Sequence, residues 1–296
     1  MARLLFVHAH PDDETLATGV TIAHYVEAGH EVEVLTCTLG DEGEIIPPEL
    51  AALAASHDDS LASYRAGELA EATARLGARH TVLAGADGQA RFRDSGMAGM
   101  PSASHPRAFV QADVAQVAAL LADHIRAREP DVVVTYDVQG SYGHPDHIQT
   151  RRVTQAALAP LGADGRPTAY EIVTPRSWVM QDRAWLGRQV PSDSGLHVPD
   201  LGEPYAVSVV DDALVTHVVV DPGALERQAR ALKAHRTQVR VYDEGYYTLS
   251  NHIAARLGGR EAFIRFDPAT GSRDAPGSAG PKTGLLPQEW AGDDRG

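Results

Sequence analysis

The sequence predicts an α/β fold, a mostly parallel sheet flanked by helices, and three observations carry that expectation. Short apolar runs alternate with segments of helical periodicity, an order that wraps helices around a parallel sheet. The runs LLFV at 4–7 and VVV at 132–134 are apolar on successive residues, as expected when both faces of a strand are covered. Both runs then empty into His/Asp clusters, HAHPDDE at 8–14 and SYGHPDH at 141–147.

Taken in order, residues 4–7 read as the first strand, and 14–27 as a helix stopped by Gly29. A second strand covers 31–38, followed by a helix at 59–77, a strand at 81–83, a helix at 109–128 and a strand at 131–136. In doubly wound sheets ligands bind beyond the carboxyl ends of the strands, so the two clusters are expected to converge in one crevice. No GxGxxG follows the first strand, so this Rossmann-like layout does not imply a dinucleotide. Beyond about residue 160 the pattern weakens to strands at 169–173 and 215–220 and a helix at 222–235. The predicted organisation is a Rossmann-like catalytic core at 1–165, a smaller C-terminal α/β subregion at 166–265 that caps and completes the cleft, and a flexible tail at 266–296. The tail expectation rests on DPATGSRDAPGSAGPKTG at 267–284, rich in Gly, Pro, Ser and charge.

Composition narrows the function. The 296 residues hold 26 Lys plus Arg against 40 Asp plus Glu, a net charge of −14 that argues against nucleic acid, whose binding depends on basic neutralisation. No apolar stretch approaches a signal-peptide core or a bilayer span, so a cytoplasmic enzyme with no membrane partner is expected. The single cysteine, Cys37, excludes an internal disulfide and a Cys-rich metal site, and any metal falls to His and carboxylate.

Zinc-type ions in hydrolases take three such ligands and leave a position open for water. His10 and Asp13 from the first loop, with His147 or His144 from the second, supply the set without one loop encircling the ion, and His8 competes with His10. Asp12, adjacent to a ligand but pointing elsewhere, is the candidate general base. A protonated His144 or the Tyr142 hydroxyl is suited to a developing oxyanion, and one of them to protonating the leaving amine. Asp146 is expected to hydrogen-bond an imidazole and keep His144 cationic near neutral pH. Against these stand a helix-cap role for the Asp12/Asp13 pair and structural roles for His57, His80 and His235.

The string LLFVHAHPDDE together with SYGHPDH resembles the LmbE-like (PIG-L) family of zinc-dependent N-acetylglucosaminyl deacetylases. TCTLGDEGEI, SYRAGEL, RFRDSGMAGM and AHRTQV are similar to its actinobacterial members in mycothiol metabolism, so the resemblance spans residues 3–250. It implies one Zn2+ per chain, or Fe2+, on His10, Asp13 and His147. It also implies Asp12 as general base, His144 as electrostatic or acid group with Asp146 behind it, and Tyr142 as a mobile oxyanion contact. Substrate contacts are implied at Arg65, Asp94, Glu44 and Met97, and the substrate as a small molecule, an N-acetylglucosaminyl-inositol. Gly143, where the sibling S-conjugate amidases have Pro, and the DSGMAG run favour the deacetylase branch over the amidases and over deacetylases of secondary metabolism. Ser141 departs from the family's Gly, and 175–213 diverges. Two other classes compete. A non-haem iron oxygenase also uses two His and one carboxylate but has no need of Asp12, and a sugar-binding module predicts no turnover. Nothing in the pattern specifies an oligomeric state.

Overall fold

The computed structural model describes residues 1–85, 89–161, 167–275, 277 and 280–287. The elements run β1 (Arg3–His8), α1 (Asp13–Glu27), β2 (Glu31–Thr36), α2 (Leu61–Leu76), β3 (Arg79–Val82), α3 (Val114–Arg128), β4 (Val132–Tyr136) and α4 (Pro145–Leu158). They continue as β5 (Thr168–Pro175), α5 (Arg176–Gln189), β6 (Val209–Val210), β7 (His217–Val220), α6 (Leu225–Leu232), β8 (Arg240–Tyr242), β9 (Tyr246–Thr248), β10 (Ala254–Arg256), β11 (Arg260–Phe266) and β12 (Lys282–Thr283).

Among the described residues nine strands form the main sheet in the order β12-β7-β11-β5-β4-β1-β2-β3, with β6 beside β5. β3, β2, β1, β4 and β5 are mutually parallel, and the order reverses between β1 and β4. That reversal is the topological switch point where doubly wound sheets bind ligands, and both His/Asp loops leave from it. The successive apolar residues divide as predicted. Leu4, Phe6, Val132 and Val134 enter one core with α1, α2 and α6, while Leu5, Val7 and Val133 enter a second with α3 and α4. With both faces covered, none of these strand residues is more than 2% exposed.

The later half differs more from expectation. β11 runs antiparallel to both β5 and β7, and β8, β9 and β10 form a separate antiparallel sheet. α4, α5 and β11 carry no prediction from the sequence. α4 is disguised by a His N-cap, an unusual capping residue, ahead of Pro145 at the first helical position. α5 buries only Leu186 fully, which leaves little periodicity to read. The helix expected from residue 109 begins instead at Val114, because the Asp113 carboxylate accepts from the Gln116 N–H and caps it there.

The stretch expected as a tail includes β12. Lys282–Thr283 pairs in parallel with β7, and Leu285 is 1% exposed, with its carbonyl accepting from Tyr170 Oη at 2.9 Å. This segment covers a sheet edge, an outcome composition alone does not reveal. The predicted domain boundary at 165/166 and tail residues 288–296 lie outside the described residues. No helix among the described residues is long and apolar enough to cross a membrane.

Candidate metal and active site

β1 ends at His8, and the chain turns through His10 and Asp12 into α1. Asp12 has φ 99°, a left-handed backbone that costs a non-glycine residue about 1–3 kcal/mol and needs outside support. Its N–H donates to Glu14 Oε2 at 2.9 Å, Arg65 of α2 donates to the Pro11 carbonyl, and Arg65 Nη2 stands 3.3 Å from Asp12 Oδ2. Although Asp12 occupies the N-cap position, its side chain makes no capping bond, so the carboxylate is not committed to the helix.

β4 ends at Tyr136, and residues 140–143 reverse the chain, with Gly140, Ser141 and Gly143 at φ 65°, 64° and 93°. A Cβ at Gly140 would lie 2.8 Å from the Ile148 nitrogen, so glycine is required there. Ser141 adopts the same left-handed conformation, which glycine would take with less strain, and its N–H is held by Asp137 Oδ1 at 2.9 Å. His144 then caps α4, with Nδ1 accepting the Asp146 N–H at 3.1 Å, and this sets Asp146 and His147 in the first helical turn.

The two loops meet at Asp13. Its Oδ2 lies 3.4 Å from His10 Nδ1 and 3.3 Å from His147 Nε2, while accepting hydrogen bonds from Tyr136 Oη at 2.6 Å and the His10 N–H at 3.0 Å. Ligand atoms of His10, His144 and His147 lie within 4.8 Å of one another, as do those of His10, Asp94 and Asp146. His147 Nε2 is buried with no hydrogen-bond partner. A buried nitrogen without a partner, beside a carboxylate and a second imidazole, suits a cation, so this His/carboxylate group is able to bind a metal ion.

The charges support the same conclusion. Burial lowers the pKa of His10, but Asp94, Asp13 and Asp146 outweigh it and raise it well above the ordinary value. Burial acts oppositely on Asp13, whose carboxyl is nonetheless held well below the usual range by His147 and His10. A pocket that drives its imidazole cationic and its carboxyl anionic is one that favours added positive charge. Asp12 behaves differently: burial, reinforced by the Asp13 charge and opposed by Arg65, brings it up to about 7. Neighbouring carboxyls are thus pushed apart, one fixed as anion and one near neutrality.

Asp146 bonds an imidazole as expected, but that of His10, and the charge on His144 differs from expectation. The Asp146 carboxylate reaches His10 Nε2 at 3.2 Å and the Ser95 N–H at 2.9 Å, not the His144 ring. His144 is not held cationic either, since burial and then the His10 and His147 charges lower it to about 3. With Nδ1 acting as acceptor, the neutral ring carries its proton on Nε2. Tyr142 stands 54% exposed, its ring centroid 5.2 Å from that of His147.

Of the expected substrate contacts, Asp94 is buried with Oδ1 3.4 Å from His10 Nε2. Arg65 is also buried, donating to the Gly40 carbonyl at 2.9 Å as well as to Pro11. Glu44 and Met97 are exposed and take no part in this contact network. His8 is not among the grouped ligand atoms: its Nε2 bonds Thr18 Oγ1 at 2.9 Å, and its ring packs edge-on against Tyr136. Sequence reasoning missed Tyr136, which donates to Asp13, accepts the Ala9 N–H and stacks on His147 with centroids 4.1 Å apart. Its signal was an aromatic hydroxyl at the last position of the buried strand that leads to the second His/Asp cluster. A cavity of about 320 Å³ opens beside Asp13, His147 and Tyr142 and runs between α1, β5 and α5 toward Glu261.

Fold and site together define an α/β protein with a buried His/carboxylate centre at the switch point of its sheet. Residues 5–158 match the PIG-L family, described as GlcNAc-PI de-N-acetylase, and the chain belongs to that family. It is 45% identical over 287 residues, 93% of this chain and 94% of the relative, to a Thermomonospora curvata protein named 1D-myo-inositol 2-acetamido-2-deoxy-alpha-D-glucopyranoside deacetylase. A Rhodococcus opacus protein of the same name is 47% identical over 285 residues, 93% and 95% of the two chains. Among solved structures, a deacetylase of the teicoplanin pathway in complex with teicoplanin superposes with TM-score 0.52 at 19% identity, over 90% of this chain and 99% of that one, and shares the fold.

Proposed function

We propose that the chain hydrolyses the N-acetyl group of 1-O-(2-acetamido-2-deoxy-α-D-glucopyranosyl)-myo-inositol, giving glucosaminyl-inositol and acetate in mycothiol biosynthesis. One observation carries the chemistry: Asp13 Oδ2 stands between His10 Nδ1 and His147 Nε2, each of these residues delivered by a loop at the switch point. The substrate follows the name shared by relatives that match almost the whole chain.

His10, Asp13 and His147 would hold one Zn2+, and the same donors suit Fe2+. Such an ion, when bound, supplies Lewis acidity, which acidifies water and polarises an amide carbonyl. Asp12, with its carboxyl near 7, takes the proton from the attacking water and returns it to the leaving amine. The oxygen that turns negative is met by neutral donors, the His144 Nε2–H and the Tyr142 hydroxyl. Tyr136 fixes the Asp13 carboxylate. The sugar contacts implied by the family resemblance are Asp94 and Arg65, both buried, and Glu44 and Met97, both exposed.

Acetate release from the acetylated pseudodisaccharide, measured beside cleavage of a mycothiol S-conjugate by the same enzyme, tests the reading. The expected result is clear preference for the pseudodisaccharide. Preference for the conjugate would assign the chain to the amidase branch instead.

A further inference from the structure

The segment His235–Gln238, between α6 and β8, contributes no group to the chemistry above, yet it reaches three elements that build the site. His235 is fully buried, and its Nε2 lies 2.7 Å from Oε1 of Glu14, which is equally buried. The second Glu14 oxygen accepts the Asp12 N–H. Two residues on, the Thr237 N–H and hydroxyl donate to the two oxygens of Glu68 at 2.9 and 2.6 Å, one turn along α2 from Arg65. The Thr237 carbonyl accepts the Ile46 N–H at 2.9 Å and fastens the loop after Gly40. Gln238 Oε1 comes so close to Gly43 that a Cβ there would lie 2.7 Å away.

A fully buried ion pair is a weak device for stability alone, since apolar replacement is often as good. The Asp12 backbone, by contrast, needs an anchor, because its conformation is strained and Arg65 is the one side chain bonded to its carboxylate among the described residues. We propose that His235 is a positioning residue for deacetylation: through Glu14 it fixes the backbone of Asp12, and with Thr237 it locks the flanking helix and loop, so that the Asp12 carboxylate stays aimed at the reacting water. The proposal rests on Asp12 being the base.

The test uses the full-length zinc-loaded enzyme with His235→Leu, His235→Gln and Asp12→Asn, reading kcat, KM, bound metal and thermal midpoint. His235→Leu lowers kcat about 100-fold, with KM changed less than about threefold and metal content unchanged. His235→Gln keeps an N–H for Glu14 and recovers kcat to within about tenfold of the parent. A folded, metal-loaded Leu variant with parental kcat overturns the proposal, as does an equal loss in both variants. Should the Leu variant fail to fold, His235→Asn, whose shorter amide is drawn back from Glu14, takes its place with the same two outcomes: kcat lowered at constant KM with metal retained supports the role, and parental kcat overturns it. Asp12→Asn keeps the two readings apart, because activity retained there removes Asp12 as the base whatever His235 does.

Discussion

β1 and β4 are buried on both faces and each leads into a His/Asp loop, whereas β7 and β11, on the far side of β5, alternate in direction and lead to no such loop. The groups facing the candidate metal centre, His10, Asp13, His144 and His147, come from the parallel half. The C-terminal half supplies buried partners instead: His235 for Glu14, Thr237 for Glu68, and Glu261, whose carboxylate accepts the Val20 and Thr21 N–H groups of α1 at 2.9 and 2.8 Å. Chemistry and its support are therefore separated along the chain and rejoined by packing.

That division can be broken first at its strongest point. His147→Ala is expected to lose bound metal and lower deacetylation on the order of 10³-fold, measured by metal analysis and acetate release. Full metal content with retained activity would take His147 out of the centre. A smaller effect is expected at Tyr136, which supports a ligand from the same half. Tyr136→Phe removes the hydroxyl from Asp13 and should cost roughly 10- to 100-fold in metal affinity or kcat, read from metal titration and steady-state rates.

The smallest effect belongs to the C-terminal half and appears in stability. Burial raises the Glu261 carboxyl from 4.5 to about 7, against the pull of the Thr21 and Val20 N–H groups. Between those values the folded chain keeps the proton while the unfolded chain releases it, so this group's contribution to stability declines as pH rises from 4.5 to about 7 and is level above. The decline is worth roughly 3 kcal/mol at most. Thermal melts of Glu261→Gln against the parent should show a difference that moves with pH inside that window. A constant difference would mean that Glu261 is ionised throughout.

The same division explains what could be read from the sequence. LLFV and VVV are legible because parallel strands buried on both faces are apolar on successive residues, and the motifs after them point to one crevice, while the choice of His10 over His8 and His147 over His144 came only with the family resemblance. The helix α4 was hidden by His144 at its cap, and β11 because its seven residues mix Arg and Glu with Phe and Ile. The charge on His144 was misjudged because spacing shows neither how deeply a ring is buried nor which nitrogen accepts a bond. His235 reads from the sequence only as a structural histidine for a different reason: its partner Glu14 lies 221 residues away, and nothing local marks a histidine as half of a distant ion pair.

The chain is a metal-dependent deacetylase, and its candidate centre lies at the junction of two loops. The most direct test is acetate release from the acetylglucosaminyl-inositol by the purified chain, as isolated, after chelation and after addition of zinc, with metal content measured in each state. About one ion per chain is expected, with activity lost when the ion is removed and restored when it is returned. Full activity in the metal-free chain, or a zinc-loaded chain that leaves the N-acetyl group intact, would contradict it.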